Sequence, residues 1–315
     1  MAINKKEWYI IVNPLAGSGK TMSKWVPAQK LLKRRKVPFY TVYTTHKHHA
    51  SELAATAARM GYRRIMAVGG DGSLHEVFDG VLSWCEDSRT SPEEFYIAVA
   101  PIGSGNDWIK AFDVPNDTQK VVKLLGKPRF VREDVARVNL DGGVVSYMAN
   151  VGGVGFDSHV CDMVNKSKER GKRKARIYFR ALLLSFFTTK SINISFYCDG
   201  ELLYSGPVLD IAFGNGSYCG GGMQQCCLAD PSDGILDAVI VPKLSLGKIF
   251  LELPRIFKKN LHESGRVIYA RGKNFQVVPL DAQSSDIVEL DGEIVGRLPM
   301  EVELNGHFVN VLSGK

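Results

Sequence analysis

The sequence predicts an α/β domain at residues 1–128, followed by an antiparallel β-sandwich domain at residues 129–315. Two patterns support this division. Strand-like and helix-like segments alternate up to Pro128, which is typical of a mostly parallel sheet covered by helices. After Pro128, short strand-like runs are separated by Asp-Gly and Asn-Gly turns, which is typical of antiparallel hairpins. A chain of 315 residues is also long for a single core.

The predicted strands of the first domain are short apolar runs that end at turn residues. They occupy residues 8–12, 39–43, 65–68 and 97–100. The segments between them have the spacing of helices that cover one face of a sheet. These helical segments run to about Lys36 and over residues 50–60 and 74–82.

The second domain contains ten β-rich runs, each short enough for one strand of a sandwich. They occupy residues 130–140, 144–151, 192–197, 202–213, 236–241, 266–270, 275–279, 287–290, 302–304 and 308–312. Helical patterns interrupt these strands at about residues 164–187 and 246–260. For the second of these helices, a core position is favoured over an amphipathic contact with a membrane.

The charge of the protein is concentrated in one segment. Lys and Arg number 40 against 33 Asp and Glu, a net charge of +7. The segment from Lys166 to Arg180 holds eight basic residues and one acid, which accounts for the whole excess. A nucleic-acid-binding protein more often spreads its charge over a face, so no nucleic-acid partner is expected.

Cysteine spacing and hydropathy indicate a reduced, non-spanning protein. None of the six cysteines forms a CxxC pair, so neither disulfides nor a zinc site is expected. No apolar run approaches the ~18 residues needed to span a bilayer. The first residues show no signal-peptide pattern. We therefore expect a cytoplasmic protein.

Three glycine-rich turns follow three predicted strands of the first domain. Such turns can bind phosphate through backbone N–H groups, and parallel strands bring their carboxyl ends to one edge. The first turn, at residues 13–21, has Pro14 where a Walker A loop needs glycine and Met22 where a dinucleotide fingerprint needs glycine. By itself it indicates a tight turn as readily as a phosphate site.

The second turn, Gly69-Gly70-Asp71-Gly72-Ser73, gives the stronger indication. Its glycines allow close approach of a ligand, and Asp71 can hold Mg²⁺ or orient a nucleophile. The third turn, from Pro101 to Trp108, fails as a dinucleotide fingerprint at Trp108. Asn106 or Asp107 can act there as a helix N-cap, and this role is compatible with ligand binding.

Together these residues resemble the diacylglycerol kinase catalytic family, which includes bacterial lipid kinases, sphingosine kinases and ceramide kinases. The resemblance spans nearly the whole chain in order. Its motifs are Asn13-Pro14 with the glycine turn, Gly69 to Gly72, Pro101 to Asp107, Asp134, Gly153 to Asp157, Asn215 with Gly220 to Gly222, Asp233-Gly234 and Asp291-Gly292-Glu293. The resemblance implies a nucleotide-binding α/β domain and a lipid-side β-sandwich.

The resemblance implies ATP and Mg²⁺ as cofactors and assigns residues to both. The ATP-binding residues would be Asn13, Thr44, Gly69, Gly70, Asp71, Gly72, Ser73, Leu74, His75 and Ser104, with Thr45 as an alternative to Thr44. Asp71, Asp107 and Asp134 would organise the catalytic Mg²⁺ through water, which suits an ion that prefers few carboxylates. Asp233, with backbone oxygens of Asp230 and Ile235, would form a second magnesium site. A type I turn at residues 231–234 explains that last motif equally well.

The resemblance also implies the catalytic base. Glu293, with Asp291, corresponds to the family's proton acceptor, although Asp291-Gly292 alone would indicate only a hairpin turn. Residues 73–76 are closer to sphingosine and ceramide kinases, in which the acid of the glycine turn is the base. Ser73 and the pair Ser104-Gly105 replace the usual Thr and Thr-small residues. Asp71 therefore competes with Glu293, which is ranked first because its motif is intact.

The implied function is transfer of the γ-phosphate of ATP to a lipid hydroxyl, with diacylglycerol as the first-ranked acceptor. Alternatives are a sphingoid-base or ceramide kinase, an NAD kinase-like enzyme, and a lipid- or nucleotide-binding protein without turnover. Against an NAD kinase, Asn106-Asp107 stands where that family carries Asn-Glu. We expect a lipid substrate and peripheral docking on an anionic membrane through Lys166 to Arg180. A homodimer is left open.

Overall fold

The computed structural model describes residues 6–103, 105–169, 181, 184–185 and 189–315. The chain forms two compact units, one comprising Met1–Val135 with Gly306–Lys315 and the other Ala136–Asn305. The predicted boundary was placed after residue 128, whereas the first unit extends to Val135 and also includes the last ten residues. There, Asn310 and Val311 pair in parallel with Tyr96 and Ile97.

The first unit is built on a parallel sheet with the strand order β2–β1–β3–β4–β15. Every residue of the central strand, Trp8–Val12, is buried, as expected for a parallel strand covered on both faces. The predicted α/β architecture is confirmed. The strands and helices of this unit, with two strands that continue into the second unit, are β1 Trp8–Val12, α1 Ala16–Gly19, α2 Thr21–Arg34, β2 Phe39–Tyr43, α3 His49–Arg59, β3 Arg64–Gly69, α4 Asp71–Ser88, β4 Tyr96–Pro101, α5 Trp108–Ala111, α6 Thr118–Leu124, β5 Arg129–Leu140 and β15 Met300–Ser313.

The second unit is built from antiparallel strands in the order β14–β13–β7–β9–β8–β12–β15. In addition, β10 pairs with β9 and β11, and β5 pairs with β6. Its core is apolar and includes the stacked rings of Phe196 and Phe213. The remaining elements are β6 Val145–Met148, β7 Val151–Gly155, α7 Phe156–Glu169, β8 Ile192–Cys198, β9 Glu201–Gly214, β10 Leu236–Pro242, α8 Leu246–Lys258, β11 Ile268–Gly272, β12 Asn274–Pro279, β13 Ile287–Leu290 and β14 Glu293–Arg297.

The predicted helix at residues 164–187 begins earlier in the structure, at Phe156. Gly155 ends β7 with a φ of +105°, and side chains satisfy N–H groups at the junction. Gly155 N–H donates to Ser158 Oγ at 2.9 Å, and Asp157 N–H donates to Asp210 Oδ1 at 3.0 Å. Of the described helices, none has an apolar stretch long enough to cross a membrane.

Candidate active site

In the first unit, the carboxyl ends of three parallel strands are joined by backbone hydrogen bonds. Asn13 N–H donates to Val68 O at 3.0 Å, and Ile102 N–H donates to Gly69 O at 2.6 Å. These bonds continue the β1–β3 and β3–β4 ladders into the loops. The three predicted glycine turns are therefore brought to one edge of the sheet, where open α/β sheets bind ligands.

The Gly69 turn packs too closely for any side chain at its first position. A Cβ atom on Gly69 would lie 2.2 Å from Ser73 Oγ. That hydroxyl accepts a hydrogen bond from Asn13 Nδ2 at 3.3 Å, while Asn13 Oδ1 accepts the N–H of Leu15 at 3.0 Å. Asn13 therefore links the first glycine turn to the second, as expected of residues that share one ligand.

The third turn is shaped by Asn106, which adopts a φ of +52°. Its Oδ1 accepts the N–H of Gly103 at 2.8 Å, and its Nδ2 donates to Asn116 Oδ1 at 2.9 Å. A Cβ on Gly103 would lie 2.8 Å from the Cα of Gly70, so the second and third turns are in contact. Asn106 holds the loop instead of capping a helix. Ser104, predicted to contact ATP, lies outside the described residues.

Two predicted metal-binding acids face the same point beside the third turn. A Cβ placed on Gly105 would lie 3.1 Å from Oδ2 of both Asp71 and Asp107. The other oxygen of Asp71 accepts the N–H of Trp108 at 3.3 Å, and Oδ1 of Asp107 is 2.5 Å from Lys110 Nζ. Within the described chain, no group of three or more His, Cys, Asp or Glu side chains is arranged to hold a metal. Two converging carboxylates fit Mg²⁺, which keeps several waters.

The third predicted acid, Asp134, is buried on β5 beside a residue that the sequence did not single out. Glu133 is fully buried, and its carboxylate accepts the indole N–H of Trp108 at 2.7 Å. Successive residues of a strand point to opposite faces, so Asp134 lies on the face opposite this bond. Glu133 therefore fixes Trp108, which in turn donates its backbone N–H to Asp71.

The loop between β2 and α3 is anchored by Glu76 of α4. His48, which has a φ of +62°, precedes α3 and gives it no side-chain cap. Instead, the Glu76 carboxylate accepts the N–H groups of His48 and Ala50 at 3.1 and 3.0 Å. A Cβ on Gly80 would lie 2.1 Å from Ser51 O, so α4 lies close against the start of α3. The sequence motifs assigned no role to Glu76.

Within this loop, the two candidate threonines have different surroundings. Thr44 N–H donates to Val12 O at 2.9 Å, which places Thr44 beside the strand end that carries Asn13. The Thr45 hydroxyl lies 3.0 Å from His46 Nδ1 and 3.1 Å from His49 Nδ1. Thr44 therefore stays the first-ranked residue for nucleotide contact. Leu74 and His75 are buried at the start of α4, so they would reach a phosphate through the backbone.

In the second unit, the predicted base lies on the hairpin turn between β13 and β14. Asp291 has a φ of +52°, and its carboxylate accepts three backbone N–H groups. The donors are Ala149 at 2.9 Å, Asn150 at 2.8 Å and Val151 at 3.2 Å. A carboxylate with these bonds positions the chain, and the catalytic role that the resemblance implies for Asp291 stays a prediction.

The next residue of this turn is held by three further side chains. Gly292 N–H donates to Glu289 Oε2 at 2.9 Å, and Gly292 O accepts Asn165 Nδ2 and Cys161 Sγ, each at 2.9 Å. Glu293, the first residue of β14, lies half-buried opposite Leu290. The turn that presents Glu293 is thus fixed on both sides of Asp291-Gly292.

A second pair of acids lies at the junction of β7 and α7. Asp157 Oδ2 accepts a 2.5 Å hydrogen bond from Gln225 Nε2, and its N–H donates to Asp210. Burial raises the pKa of Asp210 well above its ordinary value, and the negative charge of Asp157 raises it further. Burial also raises the pKa of Asp157. The sequence found Asp157 through its motif and missed Asp210.

The predicted second magnesium site is arranged around an arginine. Asp233 Oδ1 accepts the N–H of Ile235 at 3.0 Å, and its Oδ2 lies 2.7 Å from Arg271 Nη2. The same guanidinium lies 3.3 Å from Asp237, which is fully buried. Asp230 Oδ1 accepts the N–H and hydroxyl of Ser232 within its own turn. This arrangement does not fit a bound cation, because Ile235 N–H and Arg271 already engage the two oxygens of Asp233.

Comparison with protein-family models decides the relationship. Residues 7–138 match the model described as diacylglycerol kinase catalytic domain, and residues 150–313 match the model described as YegS C-terminal NAD kinase beta sandwich-like domain. The chain carries a diacylglycerol kinase catalytic domain and belongs, over more than half of its length, to the YegS C-terminal domain family. The predicted family and the predicted pairing of an α/β domain with a β-sandwich are both confirmed.

Relatives named diacylglycerol kinase match over almost their full length. The protein of Mycobacterium tuberculosis is 26% identical over 294 residues, which cover 93% of this chain and 90% of the relative. That of Staphylococcus saprophyticus is 25% identical over 309 residues, which cover 98% and 93%. The chain is therefore similar to kinases of this family throughout both units.

Solved structures show the same fold. A diacylglycerol kinase from Bacillus anthracis has a TM-score of 0.72 at 20% identity, with coverage of 98% of this chain and 97% of the other. Yeast NADH kinase complexed with NADH has a TM-score of 0.54 at 12% identity, with coverage of 98% and 84%. The chain thus shares its fold with both structures.

Proposed function

We propose that this protein transfers the γ-phosphate of ATP to the hydroxyl of a lipid, with diacylglycerol as the first candidate acceptor. The observation that carries the proposal is the convergence of Asp71 and Asp107 beside the third glycine turn. Two carboxylates at the carboxyl edge of a parallel sheet, next to turns that expose backbone N–H groups, suit a metal-bound polyphosphate. The lipid acceptor is inferred from the names of the relatives.

In this proposal the residues of the first unit hold the nucleotide. The Gly69–Gly70 backbone approaches the phosphates, with Asn13, Ser73 and Thr44 as hydroxyl and amide partners. Asp71 and Asp107 hold Mg²⁺ through water, and the contribution of Asp134 to the same ion stays a prediction from the sequence. The ion would neutralise charge on the transferring phosphoryl group. The ammonium group of Lys110, 2.5 Å from Asp107 Oδ1, balances part of the negative charge of these acids before the nucleotide binds.

Glu293 is the better candidate for the base that accepts the lipid hydroxyl proton. Asp71 accepts the N–H of Trp108 through one oxygen and shares its other side with Asp107, an arrangement suited to a cation. Asp291 is engaged with three backbone N–H groups. Glu293 comes directly after Asp291-Gly292, on a turn that neighbouring side chains fix. Such a fixed position suits a general base, which must be held within ~3 Å of the proton it takes.

The test is transfer of labelled phosphate from ATP over a panel of acceptors. Diacylglycerol, phosphatidylglycerol, ceramide, a sphingoid base and NAD would be compared with the wild-type protein. We expect transfer to a lipid, first of all to diacylglycerol. Transfer to NAD with none to any lipid would refute the proposal in favour of the NADH kinase activity named for the yeast structure.

The chain supplies a matched control for the base. Asp-Gly-Glu occurs twice, at residues 199–201 and 291–293, and each glutamate is the first residue of a strand. We expect Glu293→Gln to lower kcat by ~10²-fold or more with little change in the KM for ATP. Glu201→Gln should have wild-type kcat. Equal kcat values for the two variants would rule Glu293 out as the base.

We also propose that the segment from Lys166 to Arg180 attracts the enzyme to an anionic membrane. Its support is the eight basic residues of the sequence, since residues 170–180 lie outside the described part of the structure. Lys166 itself, at the end of α7, is paired with Asp162 at 2.6 Å. Replacing Lys172, Arg173 and Lys174 with glutamine should weaken binding to anionic vesicles and spare turnover on detergent-dispersed lipid. Unchanged vesicle binding would contradict this proposal.

A further inference from the structure

Helix α8, Leu246–Lys258, presents two large apolar side chains to solvent. Leu251 and Phe257 are each 64% exposed, more than any other large apolar side chain described in the second unit. The next in that unit are Leu202 at 55% and Leu280 at 54%, which lie in strand and turn regions. Exposed Pro254 lies midway between them at i+3 spacing, so the three side chains form an apolar strip along the helix.

The opposite side of the same helix covers an apolar cavity. Ile249, Glu252 and Ile256, spaced as one face of a helix, line a cavity of about 80 Å³. Its other walls are largely apolar and include Phe156 and Val239. Glu252 is buried there with its carboxylate 2.5 Å from Arg266 and 3.3 Å from Arg255. Ile256 also packs against the apolar cluster that contains Ala212 and Val239, so the inward face holds α8 against the unit.

A surface helix normally carries one apolar stripe, which faces the core. Because Ile249 and Ile256 already provide that stripe, Leu251 and Phe257 are not needed to hold α8 in place. Gln224 N–H also donates to Ile256 O at 3.0 Å, which fixes the helix from its inner side. The outward apolar side chains thus indicate a second environment for this helix.

Charge identifies that environment. Every exposed charged side chain between residues 243 and 259 is basic, namely Lys243, Lys248, Lys258 and Lys259. The one acid of this stretch, Glu252, is buried and paired with two arginines. An outward face of leucine and phenylalanine flanked by lysines has the composition of a helix that lies in the interface of an anionic bilayer. Lysine stems can extend along apolar surface while their ammonium groups reach phosphate.

We propose that α8 docks on the surface of an anionic phospholipid bilayer, with Leu251 and Phe257 at the boundary between headgroups and acyl chains. The four lysines would contact lipid phosphates around them. This surface lies in a different part of the sequence from the segment Lys166 to Arg180 and goes beyond the proposed phosphoryl transfer. Its test uses binding alone, so its outcome is independent of whether the protein phosphorylates diacylglycerol.

The experiment is cosedimentation of the full chain, without ATP, with vesicles of phosphatidylglycerol and phosphatidylcholine. The double variant Leu251→Gln/Phe257→Gln should partition at least ~10-fold more weakly than wild type, as expected from losing two inserted apolar groups. The matched control Leu202→Gln/Leu280→Gln removes two exposed leucines of the same unit and should bind like wild type. In Phe257→Trp, emission should shift to the blue with phosphatidylglycerol vesicles and not with pure phosphatidylcholine.

Two results would overturn the proposal. One is equal vesicle binding by the two double variants, with the emission of Phe257→Trp unchanged by vesicles. The other is a wild-type dimer in sedimentation equilibrium that becomes monomeric in Leu251→Gln/Phe257→Gln while vesicle binding persists. The second result would assign the face to another copy of this chain. Because both side chains are exposed, thermal unfolding of the variants should match wild type and show that the fold is retained.

Discussion

The two Asp-Gly-Glu turns allow the role of Asp291 to be measured against an internal reference. Asp199 and Asp291 have φ values of +48° and +52°, and the glycines that follow them have +85° and +90°. Both carboxylates accept backbone N–H groups: Asp199 those of Lys273 and Asn274, Asp291 those of residues 149–151. We predict that only Asp291 also supports turnover, because only its turn presents Glu293.

The cost of Asp291→Asn follows from the atoms involved. The amide oxygen can keep the bonds from Asn150 and Val151, but the new NH₂ group faces the N–H of Ala149 at the position of an oxygen now 2.9 Å away. One hydrogen bond to a charged acceptor is lost, and the other two then have a neutral amide oxygen as their acceptor. Bonds to charged groups contribute about 1.5–3 kcal/mol each, so a loss of about 2–3 kcal/mol is expected. Asparagine tolerates positive φ, so the backbone adds little.

A stability-matched control separates positioning from general destabilisation. Asp199→Ala removes two N–H bonds and places alanine at positive φ, which together should also cost about 2–3 kcal/mol. The Tm should fall by a similar amount in both variants, about 2–4 °C for each kcal/mol lost. Asp291→Asn should in addition lower kcat at least ~10-fold, with an unchanged KM for ATP. Equal kcat values in two equally destabilised variants would refute a positioning role for Asp291.

Three further outcomes are expected. Glu76→Ala should lower the free energy of unfolding in urea by about 1–2 kcal/mol, because α3 loses its cap. It should also raise the KM for ATP, because the loop that carries Thr44 loses its anchor. An unchanged KM would show that this loop does not contribute to ATP binding. The hydrogen bond to Asp286 raises the pKa of His159 above 6.5, so its stabilisation is present below about pH 6.5 and is lost as pH rises through the raised value. Asp286→Asn should remove this pH dependence of Tm, and a slope that survives would exclude the pair. Arg271→Ala should lower the free energy of unfolding by about 3 kcal/mol or more, since buried Asp237 loses its cation. EDTA should leave the Tm of the wild-type protein unchanged. A lower Tm with EDTA would indicate a bound metal instead.

Residue patterns predicted the elements well wherever periodicity or turn chemistry is local. The run at residues 8–12 and the turn at Gly69 both encode their own geometry, since a buried parallel strand is continuously apolar and a tight turn needs glycine. The start of α7 was missed because the N–H of Asp157, in its first turn, is capped by Asp210, which lies on a distant strand. A cap supplied by another element leaves no signal in the local sequence.

Side chains that hold the candidate site were missed for the same reason. Glu76 reaches α3 from α4, Glu133 reaches Trp108 from β5, and Glu289 reaches Gly292 across the hairpin turn. Each is an ordinary polar residue in its own segment, and its role depends on what folding brings to it. Neither motif nor spacing distinguishes such a residue from a solvated one.

The second metal site shows how the same limitation affects a motif. Residues 230–235 contain the acid and the turn that the resemblance requires, and the sequence left a metal site and a simple turn equally open. Arg271, on β11, lies beside Asp233 and the buried Asp237 and supplies one positive charge to the two carboxylates. That guanidinium engages Oδ2 of Asp233 while the N–H of Ile235 engages Oδ1, so both oxygens of the acid in this motif already have partners without a metal ion. The motif therefore specifies a need for positive charge at this position, and the fold decides whether a metal ion or a side chain meets it.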